Sequence, residues 1–396
     1  MHASLRKRRL GLFRTPRFLR RFRRSTLATF FHGTSVELFM HGGDFFPAML
    51  REFSSATNHI CLEFYIIRND QSGALFADAL IAAAGRGVSV FLVYDYIGCL
   101  ETPSAYFLRL ENAGVRCLPF NRPPFTRGLS WFDRRNHRKF AVVDGSSAFL
   151  GGINIGDEYS GYGESAARWR DMGVRLEGPV VGELLRIFSD TWAGEGRSLP
   201  PLPPVPRISS GQPGNAEIMV VSGGPHHSRS LIRSSFRMAI GGASKSVKII
   251  TPYFVPGPLI VRSMLKAAKR GVLVQLLLPA ISDVPIVKVA GRAYLSALLK
   301  GGIEIYEREG TMLHAKAMLI DDCWATIGSA NLDQRSFHRN YEVNIIIDSP
   351  DFGEQLNGMF AEEMEKCRRV TLREHEERTW FERLLEFLCN PIRRFL

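Results

Sequence analysis

The chain has 396 residues, 45% hydrophobic and 23% charged, which excludes a largely disordered protein and leaves room for two domains. No run reaches the roughly 18 uninterrupted apolar residues of a membrane span. Six scattered cysteines (Cys61, Cys99, Cys117, Cys323, Cys367, Cys389) argue against a disulfide scaffold or zinc site and fit a reducing compartment. The net charge of +12 is local, because residues 1–24 carry ten Lys or Arg and no acid, leaving 41 basic against 39 acidic residues elsewhere.

Along the chain, the first segment (1–34) interleaves Leu5, Leu10, Leu12, Phe13, Phe18, Leu19 and Phe22 with its arginines. That mixture suits a segment lying on an anionic lipid surface; a solvated basic arm and an organelle-targeting peptide share the composition. It lacks the apolar core of a secretory signal. A first half (35–193) then alternates strand-like and helix-like runs: Ile60–Ile66, Ala82–Asp95 and Glu111–Phe120. Residues 120–135 mix Phe120, Phe125, Trp131 and Phe132 with Arg122, Arg127, Arg134 and Arg135, suiting lipid headgroups, nucleic acid or an ordinary packed loop. Five prolines between Leu199 and Arg207 mark 194–214 as a linker. A second half (215–370) repeats the first: KAAKRGVLVQLLLP (Lys266–Pro279) matches AAAGRGVSVFLVYD (Ala82–Asp95), and LKGGIEIYER matches ENAGVRCLPF. This alternation predicts a largely parallel sheet covered by helices in each half. The last segment (371–396) places Trp380, Phe381, Leu384, Leu385 and Leu388 at helical spacing, either an interfacial helix or one docked on the domain.

Each half also carries the string H-x-K-x4-D-x6-G-(G/S)-x-N. The copies are His137, Lys139, Asp144, Gly151, Gly152, Asn154 and His314, Lys316, Asp321, Gly328, Ser329, Asn331. At ordinary residue frequencies roughly one chain in a hundred thousand of this length would hold one copy by chance. His and Lys, two apart on a β-run, project from one sheet face. The Asp, at an odd offset and in a turn, suits a turn-stabilising or salt-bridging role. Two His and two Lys at a pseudo-twofold axis make a site for phosphoryl transfer. One imidazole attacks phosphorus, the other protonates the leaving oxygen, and the ammonium groups neutralise phosphate oxygens. No carboxylate cluster or Cys/His set suggests a metal, so metal-independent chemistry without a cofactor is expected.

These residues resemble the phospholipase D superfamily and its duplicated HKD motif, over about residues 35–370. The stretches 62-LEFYI-66, 169-WRDMGVRLEGPVV-181, 251-TPYFVPG-257, 323-CWATIGSANLDQRSF-337 and 340-NYEVN-344 are similar to bacterial cardiolipin synthases, especially the B-type branch. The resemblance implies two similar phospholipase D-like α/β halves sharing one active site at a pseudo-twofold interface. His137, Lys139, Asp144, His314, Lys316 and Asp321 would form the catalytic set, with Asn154 and Asn331 on the phosphate. It implies a phosphohistidine route from two phosphatidylglycerols to cardiolipin and glycerol, with the nucleophilic His left open. It also implies an acid beyond each motif that holds the imidazole's other nitrogen. Asp171 and Glu342 are the candidates, with Asp157 and Glu158 as competitors for the first.

Phosphatidylethanolamine as donor, or water as acceptor, would use the same residues. Nucleic acid is not expected as a partner, because the excess charge sits in the tail rather than on the body. Phospholipid substrates and an anionic membrane surface are, with peripheral attachment on the cytoplasmic side of a cell membrane or, alternatively, a mitochondrial destination. Oligomeric state is not legible.

Overall fold

A computed structural model describes residues 15–123, 133–161, 169–200, 202, 216–225, 230–389 and 391–394. Most of the basic tail, most of the loop 120–135 and most of the linker 194–214 lie outside the described residues. The chain forms two compact units. One takes Phe30–Val220 with Arg339–Val343, and the other takes the first 29 residues, Val221–His338 and Asn344–Leu396.

In chain order the helices are α1 (Pro16–Thr26), α2 (Gly42–Ser55), α3 (Gln71–Gly85), α4 (Ser104–Asn112), α5 (Asp157–Ser160), α6 (Val180–Gly194), α7 (Leu231–Gly242), α8 (Gly257–Lys269), α9 (Pro285–Lys300), α10 (Gln334–His338), α11 (Pro350–Glu365), α12 (Leu372–Glu376) and α13 (Trp380–Leu388). The strands are β1 (Thr29–Phe39), β2 (His59–Phe64), β3 (Ser89–Asp95), β4 (Arg116–Phe120), β5 (Phe140–Val143), β6 (Ser147–Gly151), β7 (Gly173–Glu177), β8 (Ala216–Gly223), β9 (Ser246–Ile250), β10 (Phe254–Val255), β11 (Leu273–Pro279), β12 (Glu304–Arg308), β13 (Ala317–Ile320), β14 (Trp324–Gly328), β15 (Leu332–Asp333), β16 (Glu342–Asp348) and β17 (Cys367–Val370).

In the unit built on the first half, β2, β3 and β4 run parallel, as βαβ crossovers require. Beside β2, the strands β5, β6, β7 and β1 are successively antiparallel. The other unit repeats the plan: β9, β11 and β12 are parallel, and β13, β14 and β16 follow β9 antiparallel. Each sheet is therefore mixed rather than largely parallel. The cause is local: the motif strand turns back at once, with Asp144 and Asp321 in the left-handed region (φ 50° and 52°), so β5–β6 and β13–β14 are hairpins.

The strands β2, β5 and β6 are buried along their whole length, so any polar group they carry is buried too. Aromatic edge-to-face contacts fill the core above them, Phe45 on Phe149 at 5.6 Å and Phe46 on Phe76 at 4.9 Å. In the other unit α1 starts on a Thr15 cap with Pro16 in its first turn. It packs against α7 and buries Phe22 completely, edge-on to Trp324 at 6.0 Å. Arg17, Arg20, Arg21, Arg23 and Arg24 lie on its exposed side. No described helix is long and apolar enough to cross a membrane.

Candidate active site

The first motif enters its unit as the extended segment 135–139 leading into β5. Residues 339–343, from the far side of the second motif in sequence, lie alongside it. The Tyr341 N–H donates to Arg135 O (2.8 Å), and the His137 N–H donates to Tyr341 O (2.9 Å). This pairing delivers Glu342, fully buried, to the imidazole of His137: Nδ1 is 3.0 Å from Oε1 and 3.1 Å from Oε2. Glu342, which the resemblance names as an imidazole-holding acid, stands against the imidazole of the first motif rather than that of its own.

Alternation along the strand puts His137 and Lys139 on one face. The Lys139 ammonium donates to His137 O (2.6 Å) and stands 5.1 Å above the Tyr65 ring, while Tyr65 meets the imidazole edge-on at 4.9 Å. Tyr65 thus braces both groups. Asn136 and Arg138, on the opposite face, point into a buried polar network absent from the sequence reading. Asn136 Nδ2 donates to Glu63 Oε1 (2.6 Å), and Arg138 Nη1 donates to Glu63 Oε1 (3.3 Å) and Thr191 Oγ1 (2.9 Å). Asp95 accepts from the Asn136 N–H (2.8 Å) and pairs with Arg135 at 3.4 Å. Burial drives the Glu63 and Asp95 carboxyls above their ordinary values, opposed by Arg138 and Arg135 respectively.

Asp144 is absorbed by the turn. Its carboxylate accepts from the N–H groups of Thr57, Asn58 and His59 (each 2.8 Å) and from the Thr57 hydroxyl (3.0 Å). Although burial would raise it, these donors hold it below the usual carboxylate range. Asp321 has the same duty in the other unit, accepting from the N–H groups of Ser244 (2.9 Å), Lys245 (2.7 Å) and Ser246 (3.0 Å) and from the Ser244 hydroxyl (2.7 Å). Both aspartates therefore brace the motif hairpin against the start of the adjacent central strand.

Asn154 stitches the end of β2: its Oδ1 accepts from the Ile66 N–H (3.1 Å), and its Nδ2 donates to Tyr159 Oη (2.9 Å). Asp171 is buried and accepts from the Met172 N–H (2.8 Å). It lies against Gly152, where a Cβ would come within 2.3 Å of Oδ1, so the motif's second glycine makes room for this carboxylate. The competitors are occupied elsewhere, Asp157 with Ser72 (2.8 Å to its N–H) and Glu158 with Arg68 (3.2 Å).

In the second motif Lys316 Nζ is 2.8 Å from His314 Nδ1, 3.2 Å from Nε2, and donates to the His314 carbonyl. Tyr253 meets this imidazole edge-on at 6.2 Å. The Asn331 N–H donates to Ser336 Oγ (3.1 Å), and its buried Oδ1 meets no donor among the described residues.

Comparison with known proteins places the chain in a family. The family model described as cardiolipin synthase, PLD-like domain, matches residues 49–192 and 236–364, which contain both motifs and the Asp171 and Glu342 carboxylates. A cardiolipin synthase of Geobacillus thermodenitrificans is 37% identical over 353 residues, 87% of this chain and 69% of that protein. Cardiolipin synthase 2 of Bacillus anthracis is 34% identical, covering 89% and 69%. Cardiolipin synthase A of Pseudomonas putida is 34% identical, covering 85% and 70%, so these relatives do not single out the B-type branch. Among solved structures, a phosphatidylserine synthase of Haemophilus influenzae superposes with a TM-score of 0.73 at 12% identity, covering 96% of this chain and all of that one. That likeness establishes the fold, and the sequence relatives establish the rest: this chain belongs to the cardiolipin synthase family with phospholipase D-like domains.

Proposed function

We propose that the protein transfers a phosphatidyl group from one phosphatidylglycerol to another, giving cardiolipin and glycerol. The observation that carries this reading is the bond from His137 Nδ1 to the buried Glu342. A carboxylate on Nδ1 fixes the tautomer and turns Nε2 towards substrate, which a nucleophile at phosphorus needs. In the first step Nε2 of His137 forms the P–N bond, the ester bond to glycerol breaks, and His314 gives the departing oxygen its proton. In the second, His314 takes the proton from a hydroxyl of the second phosphatidylglycerol. That oxygen displaces the imidazole, restoring His137.

The Lys316 ammonium lies beside the His314 ring, where it can meet the same phosphate oxygens as the leaving group that His314 protonates. Lys139 and Lys316 stabilise the charge on the phosphate oxygens, with Asn154 and Asn331 completing the contacts. None of these steps calls for a metal. The enzyme works at a membrane surface on its cytoplasmic side, where the exposed arginines of α1 each contribute about 1 kcal/mol of attraction to anionic lipid.

The test is phosphatidylglycerol vesicles with excess EDTA, followed by mass spectrometry of lipids and glycerol. Cardiolipin and glycerol should appear together and vanish in His137→Ala and His314→Ala. Phosphatidic acid in place of cardiolipin would make water the acceptor, and a requirement for phosphatidylethanolamine would move the donor assignment.

A further inference from the structure

The helix α13 is packed the wrong way round for a soluble protein. Its residues Trp380, Phe381, Leu384, Phe387 and Leu388 recur at the spacing of one helical face. They are 75%, 54%, 41%, 71% and 60% exposed. The opposite face carries Glu382 and Glu386, four apart, and that face is docked. Glu382 pairs with Arg292 of α9 at 3.1 Å, and Glu386 is buried against Arg378. Thr379 and Glu382 close a capping box (Thr379 N–H to Glu382 Oε2, 3.0 Å), so the helix is well started. Ion pairs thus fasten the helix to the protein while its apolar side is presented outward.

Five such side chains expose on the order of several hundred Å² of apolar surface, at the upper limit of what a soluble monomer leaves to water. The face still falls short of the roughly 800 Å² per partner of a standard protein interface. Further apolar groups lie on the same unit beside the second motif. Ile281 and Ile286 are 56% and 44% exposed, and they flank Asp283, which accepts from the Tyr253 hydroxyl (2.7 Å). Tyr253 is the ring against His314. The helix α9 begins at this point and carries Arg292, the anchor of α13, about 9 Å further along its axis.

We propose that the outward face of α13, with the Ile281–Ile286 turn, is a monotopic membrane contact that sinks into the headgroup–acyl boundary of a phospholipid bilayer. This rests on the lipid-transferase reading and adds the surface through which the enzyme meets its substrate. Because the face carries no charge, its hold on a bilayer is independent of anionic lipid and of salt, unlike that of the arginines on α1.

The experiment is flotation of the full chain with pure phosphatidylcholine vesicles at 0.5 M salt, comparing wild type with the Phe381→Ser/Phe387→Ser double variant. A tenfold or greater loss of binding is expected, with the thermal midpoint and the turnover of detergent-dispersed short-chain phosphatidylglycerol unchanged. Brominated phosphatidylcholine should quench a component of the tryptophan emission that Trp380→Phe removes. Undiminished binding by the double variant, or emission that bromine leaves untouched, overturns the proposal. So does equal loss of turnover on dispersed substrate, which would make the residues structural, and so does a dimer that the variant dissolves without change in vesicle binding. If wild type makes no cardiolipin yet binds vesicles through these residues, the proposed reaction fails and the membrane contact stands.

Discussion

The two motifs present the same front and rest on different backs. In each, a His and a Lys share a face, and an Asp ties the hairpin turn to three successive N–H groups of the neighbouring segment. Behind the first lie Glu63, Asp95, Arg135, Asn136 and Arg138. At the corresponding positions behind the second lie Ile250, Pro279, Met312, Leu313 and Ala315. The comparison separates what the two repeats share from what the fold tolerates. The His and Lys of the front and the Asp of the turn recur at the same spacing, whereas the strand beneath is held in one case by a buried ionic network and in the other by apolar packing. Buried charges are expensive to desolvate, so the network gives the first motif less net stability than its bond count suggests, and it does so with strict directionality.

Breaking the network should give the largest effect. Arg138→Ala takes from the buried Glu63 its only cation among the described residues, leaving it Asn136 and Thr191, and should cost about 3–5 kcal/mol, read as a fall in the denaturation midpoint. Importing the second motif's back, Glu63→Ile with Asn136→Leu and Arg138→Ala, should recover most of that loss; failure to recover would mean the network positions the strand in a way apolar packing cannot. Next, Glu342→Gln should lower kcat by about a hundredfold while leaving the melting temperature within a few degrees, with an altered pH profile because the imidazole loses its carboxylate. A merely structural Glu342 would instead lose stability and keep the profile.

The two turn aspartates then test the likeness of the fronts. Asp144→Ala and Asp321→Ala should each cost about 2–3 kcal/mol by leaving N–H groups without an acceptor, and the two values should agree closely. The smallest effect is in acid. The Asp144 carboxyl sits below its ordinary value, so its contribution is complete above the unfolded-state value and is lost as pH falls through the folded one. Asp144→Ala should therefore show a flatter acid limb of stability, measured by denaturation at a series of pH values.

The doubled motif made the front of the site legible, and the residues beyond each motif marked Glu342 as an orienting acid. Its partner was not legible, because nothing in a sequence states that a residue 205 positions away will lie beside His137. The network behind the first motif did leave a signal: a strand polar on both faces (Asn136 and Arg138 as well as His137 and Lys139), against Leu313 and Ala315 in the repeat. Periodicity likewise found the apolar stripe at the C-terminal end but could not say which way it faced. The ion pairs of Glu382 and Glu386 decide that, with Phe387 exposed and Leu385 half-buried. The parallel sheet anticipated in each half became mixed for a reason two residues long, the Asp-Gly and Asp-Asp turns that fold the motif back on itself.

The placement of Glu342 also sets a schedule for biosynthesis. The unit that holds His137 is complete in sequence by residue 220 except for five residues, Arg339–Val343. A nascent chain can collapse its first aromatic core early, since chains fold from the N-terminal end as they are made. It reaches residue 342 only after the second motif has been translated, and until then His137 has no carboxylate to aim it. A product terminated between residues 331 and 342 would therefore hold both motifs and still lack the carboxylate that meets His137 Nδ1.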